Sequence, residues 1–141
     1  MLAHRTLFRP EHLDAMGFEY PGGRPRVILS KDVRRLGAVM MGEMAALLMA
    51  AQGLKREDVR YWVLHSAGRR VIDRARTLLE LDEPQVAASR AVLRRHGNMS
   101  SATILFVLEE TLRQAAPVPG EWGLMIGLGP GFAAEGALLR W

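Results

Sequence analysis

Strand-like runs alternating with helix-period segments of roughly 10 to 15 residues predict an α/β fold with helices packed on a sheet, and a closing pair of strands makes that sheet mixed. Three observations carry the prediction. Val59-Arg60-Tyr61-Trp62-Val63-Leu64 has the β-branched and aromatic content of a buried strand. From Leu36 onward, apolar residues recur at spacings of three and four, the period of a helix face. Trp122 to Leu128 and Ala134 to Trp141 read as strands on either side of Gly129-Pro130-Gly131, a tight turn.

Residues 1–25 show no sustained period and end in the turn formers Tyr20-Pro21-Gly22-Gly23-Arg24-Pro25, so a poorly specified lead-in and loop precede a domain over 26–141. Arg26 to Ser30 forms a short extended segment. The helix that follows presents Val39, Met40, Met44, Leu47, Leu48 and Ala51 on one face and stops at Gly53, a C-cap residue. Its methionines read as adaptable core filling. After the Val59 to Leu64 strand comes His65-Ser66-Ala67-Gly68, then a helix with Ile72, Ala75 and Leu79 on its inner face. Another helix covers Pro84 to Arg95, with Pro84 in its first turn and Gly97 as its stop. Ser100 or Ser101 caps the last helix, whose expected buried stripe is Ile104, Leu105, Leu108 and Leu112.

At 141 residues, 49% hydrophobic and 24% charged, the chain has the balance of one folded domain. Its net charge of +4 is spread along the chain, with the pairs Arg34-Arg35, Arg69-Arg70 and Arg94-Arg95 in different segments and few aromatics between them, which argues against nucleic-acid binding. Arginine does suit bidentate recognition of a phosphate-bearing cofactor. No apolar run approaches the roughly 18 residues of a membrane span, and the first residues lack a signal-peptide apolar region, so the expected location is cytoplasmic with no membrane contact. The chain contains no cysteine, which removes disulfides, thiolate metal sites and a cysteine nucleophile of its own.

Among polar residues, His65 and Asn98 stand out because each interrupts regular structure at a loop. His65 follows a strand, where α/β sheets gather ligands, and Gly68 beside it permits close backbone approach. A satisfied structural histidine is the competing reading. Asn98 follows Gly97 and serves equally as a turn residue. Two neutral donors aimed at one carbonyl oxygen would make an oxyanion hole. No Gly-x-Ser-x-Gly elbow, HExxH, P-loop or dinucleotide fingerprint is present, and His4, His12 and His96 lack metal-site spacing.

Gly97-Asn98-Met99-Ser100-Ser101-Ala102 resembles the asparagine signature of chalcone synthase-like type III polyketide synthases. Trp62-Val63-Leu64-His65-Ser66-Ala67-Gly68 is similar to that family's histidine strand and loop. Leu105-Phe106-Val107-Leu108-Glu109-Glu110, Gly120-Glu121-Trp122-Gly123 and Gly127-Leu128-Gly129-Pro130-Gly131 follow in the family's order. The likeness begins near Leu29-Ser30-Lys31-Asp32-Val33 and implies a thiolase-like layered fold, its C-terminal half only, with the cysteine carried by an N-terminal half.

The resemblance further implies an acyltransferase that condenses malonyl-CoA with an acyl-CoA starter after decarboxylation, using coenzyme A thioesters as substrates and no tightly bound cofactor. His65 and Asn98 would be catalytic, holding the thioester carbonyl and the enolate. Gly127, Leu128, Gly129, Pro130 and Gly131 would shape the cyclisation pocket. Arg69 and Arg70 are candidates for coenzyme A phosphates or plain surface residues. A complementary cysteine-bearing half is the implied partner, within a homodimer or heteromer; a non-catalytic, partner-binding fragment is the alternative. The sequence departs from the family where Ser66-Ala67 replaces the usual Pro-Gly, where Val27 stands near a gating aromatic of plant members, and at Leu128.

Overall fold

The computed structural model describes residues 1–141. Strand β1 (Ala3–Phe8) is followed by β2 (Met16–Glu19) and β3 (Arg26–Leu29), then helix α1 (Val33–Ala50), strand β4 (Val59–Leu64), helices α2 (Arg69–Leu78), α3 (Glu83–His96) and α4 (Ala102–Ala115), and strands β5 (Trp122–Gly129) and β6 (Ala133–Arg140). The main sheet has the order β1-β6-β5-β4, with β4 and β5 parallel and the other pairs antiparallel, while β2 and β3 form a separate hairpin. The mixed α/β architecture is the one expected. No helix is long and apolar enough to cross a membrane.

Residues 1–25 are more ordered than their lack of period suggests. β1 pairs along its length with β6, Ala3 opposite Leu138 and Phe8 opposite Ala133. A strand whose partner lies at the other end of the chain leaves no local signature beyond alternation, and here only Ala3 and Leu7 turn toward the core.

The two sheet faces are covered differently. On one, Met41, Met44 and Leu48 of α1 and Ile72 of α2 pack against Leu124, Ile126 and Leu138. On the other, Ala88 and Val92 of α3 and Val107 of α4 pack against Val63. Trp62 is buried, and its indole N–H donates to the Val59 carbonyl at 3.0 Å, so the largest side chain of β4 leaves no orphan donor.

Helix α1 sits close on the sheet because Gly136 of β6 lies beneath it, and a side chain at that position would strike Met44 and Leu48. Gly136→Val is therefore expected to cost about 1–3 kcal/mol through overpacking, read as a lower midpoint in thermal or denaturant unfolding. Met44→Ala in the same chain should recover part of that loss.

Two helix faces differ from expectation. On α1, Val33, Leu36, Met40, Met41, Met44, Ala45 and Leu48 are buried, whereas Val39, Leu47 and Ala51 face solvent. On α4 the buried residues are Thr103, Val107, Glu110 and Thr111, with Ile104 and Leu108 half-buried and Leu105 and Leu112 exposed. The short side chains at positions 103, 107 and 111 recur every four residues and let α4 approach β4 and β5, displacing the bulkier leucines outward. Glu110 turns to α3, where Arg95 donates to it, and together with Arg113 of its own helix this holds its carboxyl down to about 2.

Candidate active site

The β4 strand runs directly into His65, whose backbone N–H continues the parallel ladder by donating to the Ile126 carbonyl at 3.0 Å. His65 is only 7% exposed, and its ring makes no hydrogen bond within the chain. Burial alone pushes its pKa below the ordinary 6.5, so the imidazole is neutral near pH 7 and offers one ring N–H as a donor.

A native state that binds the proton more weakly than the unfolded chain is stabilised where neither is protonated. The contribution of His65 is therefore complete above about pH 6.5 and lost as pH falls from there through the depressed native pKa. Melting temperature against pH should decline more steeply below pH 6.5 in the wild-type chain than in His65→Gln; parallel curves would contradict this.

Asn98 is delivered by the end of α3. Gly97 takes φ 71° at the C-cap, a left-handed conformation that suits glycine, and its N–H closes onto the Leu93 carbonyl. Ser100, also at positive φ, is held by its N–H donating to Asn98 Oδ1 at 2.9 Å. Because a backbone N–H can only donate, this bond identifies the amide oxygen of Asn98 and leaves its Nδ2 hydrogens unpartnered in the chain. Thr103 Oγ1 accepts from the Met99 N–H at 2.7 Å, so the start of α4 is organised by Asn98 and Thr103. The expected capping side chain of Ser100 or Ser101 contributes no such bond.

His65 and Asn98 line one cavity of about 430 Å³. Arg69 and Arg70, the first residues of α2, line it as well, as does Leu128. Leu128 reaches this position across Gly37 of α1, where a Cβ would lie 2.8 Å from its Cδ1. Of the proposed loop, Leu128 alone lines the cavity. Gly127 and Gly129 pair within the β5–β6 hairpin, and Pro130 and Gly131 turn its end, with Gly131 against Phe8. Gly68 has extended backbone and open space at its Cβ position, so no close approach explains it.

Sequence reasoning did not foresee Met16, Lys31 and Arg34 on the same cavity wall, since hairpin and α1 residues carry no motif that ties them to His65. Lys31, Arg34, Arg69 and Arg70 make no salt bridge, and no acidic side chain lines the cavity, which gives it a positive rim suited to an anion. A second cavity of about 350 Å³ lies at the other end of β4, lined by Arg60, Asp82 and Gln114 among others, away from both motif residues.

Comparison with solved structures places this architecture among thiolase-like folds, as their C-terminal portion. Against the polyketide synthase PKS-I of the brown alga Ectocarpus siliculosus, the TM-score is 0.87 at 31% identity, covering 98% of this chain and 38% of that one. Against 1,3,6,8-tetrahydroxynaphthalene synthase of Streptomyces coelicolor, a bacterial type III polyketide synthase, it is 0.90 at 27% identity, covering 99% and 40%. The family model described as chalcone and stilbene synthases, C-terminal domain, matches residues 26–141, and the chain belongs to that family. It is 34% identical over 134 residues to a 3,5-dihydroxyphenylacetyl-CoA synthase of Streptomyces toyocaensis, covering 94% of this chain. The chain spans about a third of the length of the curated relatives it matches.

Proposed function

We propose that the chain is the carbonyl-binding half of an acyltransferase that condenses malonyl-CoA with an acyl-CoA starter. The observation that carries this reading is the convergence of a neutral, unpartnered His65 and a free Asn98 amide on one cavity with a positive rim. Malonyl thioester loses carbon dioxide, and the electron pair left behind is held as an enolate whose oxygen accepts from the His65 ring N–H and Asn98 Nδ2. The enolate carbon attacks the carbonyl of an enzyme-bound acyl thioester; a carbon–carbon bond forms and the thiolate leaves.

That thioester forms when a thiolate displaces coenzyme A, and this chain has no cysteine to supply one. The nucleophile comes from a cysteine-bearing N-terminal half, whether a separate subunit or a preceding part of a longer polypeptide. Arg69 and Arg70, which line the cavity with Lys31 and Arg34, would meet the coenzyme A phosphates, which remain substrate groups and not a resident cofactor. Leu128 forms part of the wall against which the product folds. The protein acts in the cytoplasm within a dimeric or heteromeric assembly.

A two-component assay tests this: the chain with a cysteine-bearing half should yield condensation product, and neither component alone should. A second reading, a partner-binding module without catalysis, draws on the exposed apolar side chains of α4; it predicts a stable complex that remains inactive.

A further inference from the structure

Two serines buried completely, Ser66 and Ser89, form a reciprocal pair between the His65 loop and α3. Ser89 Oγ donates to the Leu64 carbonyl at 2.9 Å, and Ser66 Oγ donates to the Ser89 carbonyl at 2.8 Å. The residues on either side of His65 are thus both tied to one residue of one helix. That same helix ends at His96, with Gly97 as its cap and Asn98 immediately after. We propose that Ser89 is a positioning residue that sets His65 against Asn98 by fixing the strand end to the helix that delivers the asparagine.

Elementary energetics supports a positional role. A buried hydroxyl must keep its hydrogen bond to avoid a desolvation penalty, so a small apolar residue is the simpler choice where only packing is needed. Two such hydroxyls here bracket a histidine whose own ring has no partner to orient it. The backbone ladder fixes the His65 N–H to Ile126, the Ala67 N–H closes back onto the His65 carbonyl, and the Ser66 bond ties this loop to α3. Gly97 makes the turn to Asn98 short, so a displacement of α3 relative to β4 passes directly to the spacing of the two side chains.

The bearing of this clamp on catalysis rests on the reading of His65 and Asn98 as paired donors, but its structural effect is measurable without turnover. In the isotopically labelled chain, NMR follows the His65 ring titration and the Asn98 side-chain amide. Lys31, Arg34, Arg69 and Arg70 line the cavity with His65 and are left unchanged. Ser89→Ala is expected to raise the His65 midpoint toward the ordinary imidazole range, as the loop loosens and water reaches the ring, and to move the Asn98 amide resonances. Ser89→Thr, which keeps the hydroxyl, should retain the wild-type values for both.

Thr111→Val removes another buried hydroxyl bond, that to the Val107 carbonyl on α4, and should leave both readouts in place while lowering stability similarly. If Ser89→Ala does not fold, Ser66→Ala breaks one of the two bonds and is read in the same way. A lowered melting temperature with both resonances unmoved would overturn the proposal. Full condensation activity in His65→Ala and Asn98→Ala would instead sink the catalytic reading while leaving the NMR signature of the clamp intact, so the two failures are distinguishable.

Discussion

Alanine in place of Asn98 is expected to slow malonyl-CoA decarboxylation by about 10²–10³-fold when the chain is paired with a cysteine-bearing half, the usual loss on removing one preorganised oxyanion donor. The geometry is specific about why. The Ser100 N–H occupies Asn98 Oδ1, so the side chain presents donors and not an acceptor to the cavity. Asn98→Asp keeps the tie to Ser100 but points a carboxylate oxygen at the developing negative charge, and should be at least as damaging as alanine. His65→Ala should cost a similar factor or more if, as proposed, the imidazole N–H also supports the thiolate of the cysteine-bearing half. The double variant should fall short of the product of the single losses, as expected of groups that act on one oxygen. Carbon dioxide release measures the step directly, and an unchanged rate in either single variant would remove that residue from the role.

The second large effect concerns association. α4 packs its threonines and valine inward, leaving Leu105 61% exposed with Phe106 and Leu112 beside it on the outer face. An apolar stripe of this kind on a helix that lies over only part of its sheet face calls for a covering partner. The isolated chain is therefore expected to self-associate with rising concentration in light scattering. The triple variant Leu105→Ser, Phe106→Ser, Leu112→Ser should be monomeric and should weaken binding of the cysteine-bearing half by roughly 100-fold or more, given about 1.5–3 kcal/mol for full burial of each large apolar side chain, of which these part-buried residues gain about half. A wild-type chain that stays monomeric at high concentration and binds the other half no better than the triple variant would contradict this.

Much of the fold was legible because its signals are local. The β-rich run ending at His65, the Gly97 stop before Asn98 and the Gly-Pro turn of the final hairpin are each written within a few neighbouring residues, and each stands where expected. Non-local features were not. β1 is defined by β6 at the far end of the chain, and the Ser66–Ser89 pair joins residues that no periodicity relates. For α4 the helix was evident but its orientation was not, since positions 103, 107 and 111 and positions 105 and 112 are both helix-spaced, and only contact with the sheet selects the smaller set. The cavity shows the same division. His65, Asn98, Arg69, Arg70 and Leu128 were named from motifs, whereas Lys31, Arg34 and Met16 join them only because the β2–β3 hairpin and the start of α1 close over the strand end.

The central claim is a division of labour, in which this chain holds the carbonyl and another half carries the nucleophile. Intact-mass analysis of both components after incubation with an acyl-CoA starter, followed by malonyl-CoA, tests it most directly. The acyl group should appear only on the cysteine-bearing half, and extended product should form only when wild-type chain is present, saturating at one chain per partner. Acyl transfer to this chain, product from this chain alone, or full activity of the other half without it would each contradict the account.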